Sequence, residues 1–119
     1  MSEIISPKVQ NQINMLQQLQ QQMQTLLNQK NQYEMAVQET RRAIEELNET
    51  PENAEVFHSV GTVMMQKPRS QVLESLTEKT ENFEIRISSI EKQEKLVQEK
   101  FESLQSQIKA AMEGRAEAA

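Results

Sequence analysis

From Leu19 onward, side chains suited to a buried stripe recur at alternating spacings of four and three: Leu19, Met23, Leu26, Lys30, Tyr33, Val37, Thr40, Ile44 and Leu47. This is the a/d seam of a coiled-coil helix, interrupted by the polar Lys30 and Thr40. Ser6 is placed to cap that helix with Pro7 as its first residue, where a missing N–H forfeits no helical bond. Pro51 stops it, so the pattern predicts a first helix over about 7–48. A second seam runs through Leu73, Leu76, Thr80, Phe83, Ile87, Ile90, Glu94, Val97, Phe101, Leu104, Ile108 and Ala111. It predicts a helix over about 69–113, with Gly114 suited to follow its last turn. At about 1.5 Å per residue each helix is roughly 60–70 Å long. Two helices of near-equal length joined by a short insert predict an antiparallel two-helix coiled coil.

Reflecting the first helix about Val60 pairs the two seams position for position, and the polar Thr40 lands on the polar Thr80. Lys30 and Glu94 then occupy neighbouring layers, where a diagonal ion pair offsets the cost of placing charge in a seam. Before Leu19 the apolar residues Val9, Ile13 and Leu16 follow spacings of four, three and three, which reads as a local stammer. The surrounding stretch NQINMLQQLQQQMQT, residues 11–25, is glutamine-rich. With apolar residues at helical spacing inside it, it reads as the solvated face of a coiled coil and not as low complexity.

The insert AEVFHSVGTVMMQ, residues 54–66, is β-branched and apolar, and reads as a β-hairpin. If His58 pairs with Thr62 around a Ser59-Val60-Gly61 loop, Gly61 takes the left-handed position such a loop requires. Phe57, Val63 and Met65 then share one face with Glu55, while Val56, His58, Thr62 and Met64 share the other. Neither face is polar throughout. A lone two-stranded hairpin is marginal in water and leaves both edges open. The expected consequence is oligomerisation through the hairpin, with the helices projecting from the assembly and Val56, Phe57, Val60, Gly61, Val63 and Met65 at the joint.

Composition agrees with an elongated helical protein. The chain has 119 residues, 36% of them hydrophobic and only 3% aromatic, with two glycines and three prolines. All 18 acidic residues are glutamate, so helix formers dominate and turn formers are scarce. A net charge of -5 without a basic cluster disfavours nucleic acid as partner. No basic-then-apolar leader opens the sequence and no apolar run is long enough to span a membrane, which predicts a cytoplasmic protein with no membrane partner. The absence of cysteine fits that compartment, and there the sequon at Asn48 has no meaning.

Catalysis has little foothold. With one histidine, no cysteine, no aspartate and no glycine-rich phosphate loop, the chain assembles neither a nucleophilic triad nor a nucleotide site. No His/Cys metal site is available either, and no cofactor is expected. The glutamate runs read as solvated helix faces, and His58 as a strand residue.

The order helix, single hairpin, helix, with Val56-Phe57 followed by Ser59-Val60-Gly61 and an apolar strand, resembles the β-type subunits of the prefoldin family, the archaeal form in particular. The resemblance covers nearly the whole chain, as one domain over 1–119, and its most specific part is the hairpin. It implies an assembly of two α-type and four β-type subunits whose hairpins build a double β-barrel carrying six coiled coils. It further implies an ATP-independent chaperone that holds non-native polypeptides at the coiled-coil tips and delivers them to a group II chaperonin. On that reading both termini lie at the tip, and the candidate client-binding residues are Ile4, Ile5, Val9, Ile13, Leu16, Phe101, Leu104, Ile108 and Met112. Fraying of the last turns would expose these seam residues, and the flexible Met15, Met23 and Met112 suit an unspecific surface. The alternative is a homo-oligomeric coiled-coil scaffold or adaptor that binds one defined folded partner.

Overall fold

The computed structural model describes residues 5–118. Helix α1 spans Pro7–Glu49 and helix α2 spans Arg69–Ala118, with strands β1, Phe57–Val60, and β2, Val63–Gln66, between them. The molecule is therefore mainly α-helical, with one antiparallel β-hairpin inserted between two long helices. It divides into two compact units: Lys30–Ser89, which holds the hairpin, and the residues up to Gln29 together with those from Ile90 onward.

In the hairpin unit the helices pack through the expected seam, with Val37 and Thr80 buried and Tyr33, Thr40, Ile44, Leu47, Leu73, Leu76, Phe83 and Ile87 half-buried. Val72, beside the expected seam residue Leu73, is buried as well. The Thr40 and Thr80 hydroxyl oxygens lie 2.7 Å apart, which fixes the antiparallel register here as the one obtained by reflection about Val60. Near this polar layer the Tyr33 and Phe83 rings pack with centroids 5.9 Å apart. Arg86 donates to the Tyr33 hydroxyl at 2.8 Å, with its guanidinium 5.5 Å from the ring centroid. Arg41 pairs with Glu84 across the helices at the solvated flank.

The ends of this unit's helices are satisfied locally. Thr50 donates its N–H to the Leu47 carbonyl and its hydroxyl to the Glu46 carbonyl, immediately before Pro51. Arg69 donates Nε–H to the Leu47 carbonyl at 2.6 Å, so a cation opening α2 sits at the negative end of α1. The Pro68 carbonyl then accepts the N–H groups of Gln71 and Val72 in the first turn of α2.

The hairpin register differs from the expected one. Val60 pairs with Val63, Ser59 with Met64, His58 with Met65 and Phe57 with Gln66. The loop is therefore the two residues Gly61-Thr62, with no Ser59-Val60-Gly61 loop and no His58–Thr62 pair. Gly61 has φ +58° and no other residue takes positive φ among those described. Glycine with positive φ at the first central position is the pattern of a type II′ turn, whose twist matches the flanking strands. The partner of His58 moves three residues along the second strand, from Thr62 to Met65, and an odd shift exchanges the faces. Val56, His58, Val60, Val63 and Met65 share one side, and Phe57, Ser59, Met64 and Gln66 share the other.

In the terminal unit Ser6 caps α1 as expected. Its Oγ accepts the Val9 N–H at 3.2 Å and its carbonyl accepts the Gln10 N–H at 2.9 Å. Val9, Leu26, Ile90, Val97 and Leu104 are buried. Ile13 is half-buried at the expected stammer. Gln12 beside it is half-buried too, and completes an unbroken run of spacings of three, four and three through Val9, Leu16 and Leu19. Its Nε2 donates to Gln107 Oε1 on α2 at 3.5 Å. At the end of α2, Met112 is half-buried and Ala111 exposed, so the seam moves one residue beyond its expected last position. That is the drift of a 3.6-residue helix away from a 3.5-residue repeat. The helix also continues through Gly114, which does not end it.

Candidate functional site

Two apolar surfaces stand out, one in each unit. The first is the hairpin. Phe57 is 51% exposed, Val60 53%, Val63 56%, Met64 69% and Met65 47%. Exposed apolar groups on so short an element are not compensated by a polar face: Phe57 and Met64 occupy one side, Val60, Val63 and Met65 the other. The sheet has the order β1-β2 alone, so each strand also presents an outer edge of backbone donors and acceptors.

Of the six residues expected at an assembly joint, Phe57, Val60, Val63 and Met65 are accessible. Gly61 is also exposed and sets the turn. Val56 is different. It is buried and lines the base of the hairpin with Ala54, Pro68 and Arg69, while its carbonyl accepts the Lys67 N–H at 3.0 Å. Its side chain seats the hairpin on its own chain. Met64, the most exposed large apolar side chain of the hairpin, was not among the expected joint residues. The signal for it was the two-residue loop, which places it opposite Ser59 on the Phe57 side.

The second surface is in the terminal unit, where the structure brings most of the expected client-binding residues together. Ile13, Leu16, Phe101, Ile108 and Met112 are half-buried along the seam, Val9 and Leu104 are buried in it, and Ile5 is exposed ahead of α1. Ile4 lies outside the described residues. As the helices stand, Val9 and Leu104 face each other's helix and not solvent.

Of the apolar groups outside this seam, sequence reasoning singled out Met15 but missed Leu27 and Leu96. Met15 is 54% exposed, Leu27 40% and Leu96 58%. Met15, Leu19, Leu96 and Leu104 line one groove between the helices, and Met23, Leu27 and Phe101 line another. Met15, Leu27 and Leu96 are g, e and c positions of the heptads, beside the a/d stripe to which Leu19, Met23, Phe101 and Leu104 belong.

Among the described residues no cluster of three or more His, Cys, Asp or Glu side chains is arranged to hold a metal ion. Within the same residues, no helix is long and apolar enough to cross a membrane.

The family model described as prefoldin subunit matches residues 10–115. The prefoldin subunit beta of Methanospirillum hungatei is 68% identical over 111 residues, covering 93% of this chain and 92% of its own length. That of Methanoculleus marisnigri is 56% identical over 113 residues, covering 95% and 93%. The crystal structure of the prefoldin beta subunit from Thermococcus strain KS-1 superposes with a TM-score of 0.86 at 33% identity, over 92% of this chain and 96% of that one.

Proposed function

This chain belongs to the prefoldin family of non-enzymatic chaperones, among its β-type subunits, and from that premise we propose what it assembles with and what it holds. Four copies join two α-type subunits through their hairpins. The complex holds non-native polypeptides at the coiled-coil ends that carry the termini, without ATP, and passes them to a group II chaperonin. Its place of work is the cytoplasm.

The observation that carries this reading is the hairpin, apolar and exposed on both sides and open at both edges. A free chain in that state leaves strand edges and large apolar groups in water, each a template for association. Strands from other subunits satisfy both needs together, since added strands pair the edges and cover the faces. Phe57, Val60, Val63, Met64 and Met65 are the side chains to be covered, while Val56 and Gly61 hold the shape that presents them.

Client capture falls to the terminal unit. Ile5 is accessible there, and Ile13, Leu16, Ile108 and Met112 are half-buried towards the helix ends, where opening requires the least free energy, with Phe101 half-buried further along α2. Val9 and Leu104 join the surface only when those last turns separate. Each contact is weak, so several subunits acting on one unfolded chain supply the affinity through effective concentration.

The test is the mass and composition of the native complex recovered from source cytosol with this chain as bait. A hetero-oligomer of two α-type and four β-type chains that suppresses aggregation of unrelated unfolded proteins is the expected result. A homo-oligomer, or a stoichiometric complex with one folded protein and no protection of unfolded ones, would replace the chaperone reading by that of a scaffold or adaptor.

A further inference from the structure

The two helices of the terminal unit differ sharply in chemistry. From Val9 to Gln29, α1 carries no charged residue, and its polar positions are filled by glutamine, asparagine and one threonine. On α2, from Ile90 to Gly114, glutamate and lysine recur in every turn or two, as at Glu91, Lys92, Glu99 and Lys100. The seam accounts for little of this difference, because apart from Glu94 the seam positions of both helices carry no charge. It lies in the residues that face outward.

The contrast extends into both grooves of this unit. In one, the α1 wall is Met15, Gln18, Leu19 and Gln22, and the α2 wall includes Glu99 and Lys100. In the other, the α1 wall is Gln20, Met23, Gln24 and Leu27. Met15 and Leu27, both exposed, place apolar groups beside the amides of α1.

We infer that the uncharged outer face of α1 between Met15 and Leu27 is a binding surface for extended, uncharged segments of non-native polypeptide. The inference rests on the chaperone reading and adds to it a recognition chemistry distinct from opening of the seam. An unfolded segment brings peptide N–H and C=O groups together with apolar side chains. Glutamine offers both a donor and an acceptor, so amide–water bonds are exchanged for amide–backbone bonds at little net cost. Met15 and Leu27 take up the apolar side chains, the thioether adapting to different shapes. Covering the glutamates and lysines of α2 with the same segment would instead strip water from charges and leave them without partners. An uncharged surface thus complements an uncharged segment, which selects this face as the bound one.

The experiment uses the native hetero-oligomer and a reduced, carbamidomethylated unfolded protein carrying a fluorophore, titrated by anisotropy at low and high salt. Gln18→Glu/Gln22→Glu and Gln18→Lys/Gln22→Lys change exposed positions, and native mass and helicity verify assembly. Both variants are expected to bind the probe several-fold more weakly whichever charge is introduced. Glu99→Gln/Lys100→Gln on the opposite wall should bind it as well or better, and wild-type affinity should not depend on salt. Unchanged affinity in both glutamine variants, or weakening by only one sign of charge, overturns the inference while leaving the chaperone reading in place. A change in native mass would make the face an assembly surface and overturn it equally. A wild-type complex that binds no probe removes the chaperone reading, and the inference with it.

Discussion

The Thr40 and Thr80 hydroxyls have two protons between them and three short contacts to fill. Thr40 Oγ1 lies 3.1 Å from the Val37 carbonyl, Thr80 Oγ1 2.8 Å from the Leu76 carbonyl, and the two oxygens 2.7 Å from each other. One hydroxyl donates across the interface and the other to its own helix, so either substitution to valine removes the shared bond. Each single variant is expected to lose about 1 kcal/mol, with the Thr40→Val/Thr80→Val pair losing much less than the sum and a coupling of about 1 kcal/mol. Denaturant unfolding of the four proteins at one concentration checks this, and strict additivity would remove the pair as a register device. This layer was legible in the sequence because two polar interruptions met under one reflection. Gln12 was not, because hydropathy favours Ile13 as the seam residue, whereas helical geometry carries the repeat through Val9, Gln12 and Leu16.

Among the elements, the helices followed from the sequence and the hairpin register did not. A sheet with one buried face specifies register strongly, because a slip exposes that face. Here both faces are apolar, so the side chains of 54–66 do not discriminate between a three-residue and a two-residue loop. Both alternatives also place Gly61 at positive φ, which removes the remaining local signal. The observed φ of +58°, with no heavy atom within 4 Å of where a Cβ would stand, gives a clean prediction. Gly61→Ala meets no steric clash and suffers only the backbone cost of a left-handed L-residue, about 1–2 kcal/mol. Thr62→Ala, at a position of ordinary φ, is the matched control. Mass photometry across a dilution series should show Gly61→Ala dissociating at roughly tenfold higher concentration than wild type, given about 1.4 kcal/mol per factor of ten. Equal dissociation of wild type, Gly61→Ala and Thr62→Ala would mean that the turn does not limit assembly.

For the whole molecule, assembly and client capture are assigned to different units, and that separation is what truncation tests. Deleting residues 1–12 removes Ile5, the Ser6 cap, Val9 and the Gln12–Gln107 contact, and deleting 106–119 removes Ile108 and Met112. Neither deletion touches the hairpin, the Thr40–Thr80 layer or the Arg69 cap of α1. Both truncated complexes are therefore expected to keep their subunit composition by native mass while binding an unfolded protein roughly tenfold more weakly, about 1.4 kcal/mol, as contacts that act together are lost. Full suppression of aggregation by both would exclude the helix ends as the capture surface. The two contributions can then be separated, because the truncations leave Met15, Gln18, Gln22 and Leu27 in place. Binding that remains after truncation should be weakened further by Gln18→Glu/Gln22→Glu. If truncation alone abolished it, the helix ends would be the entire site and the amide face would contribute nothing.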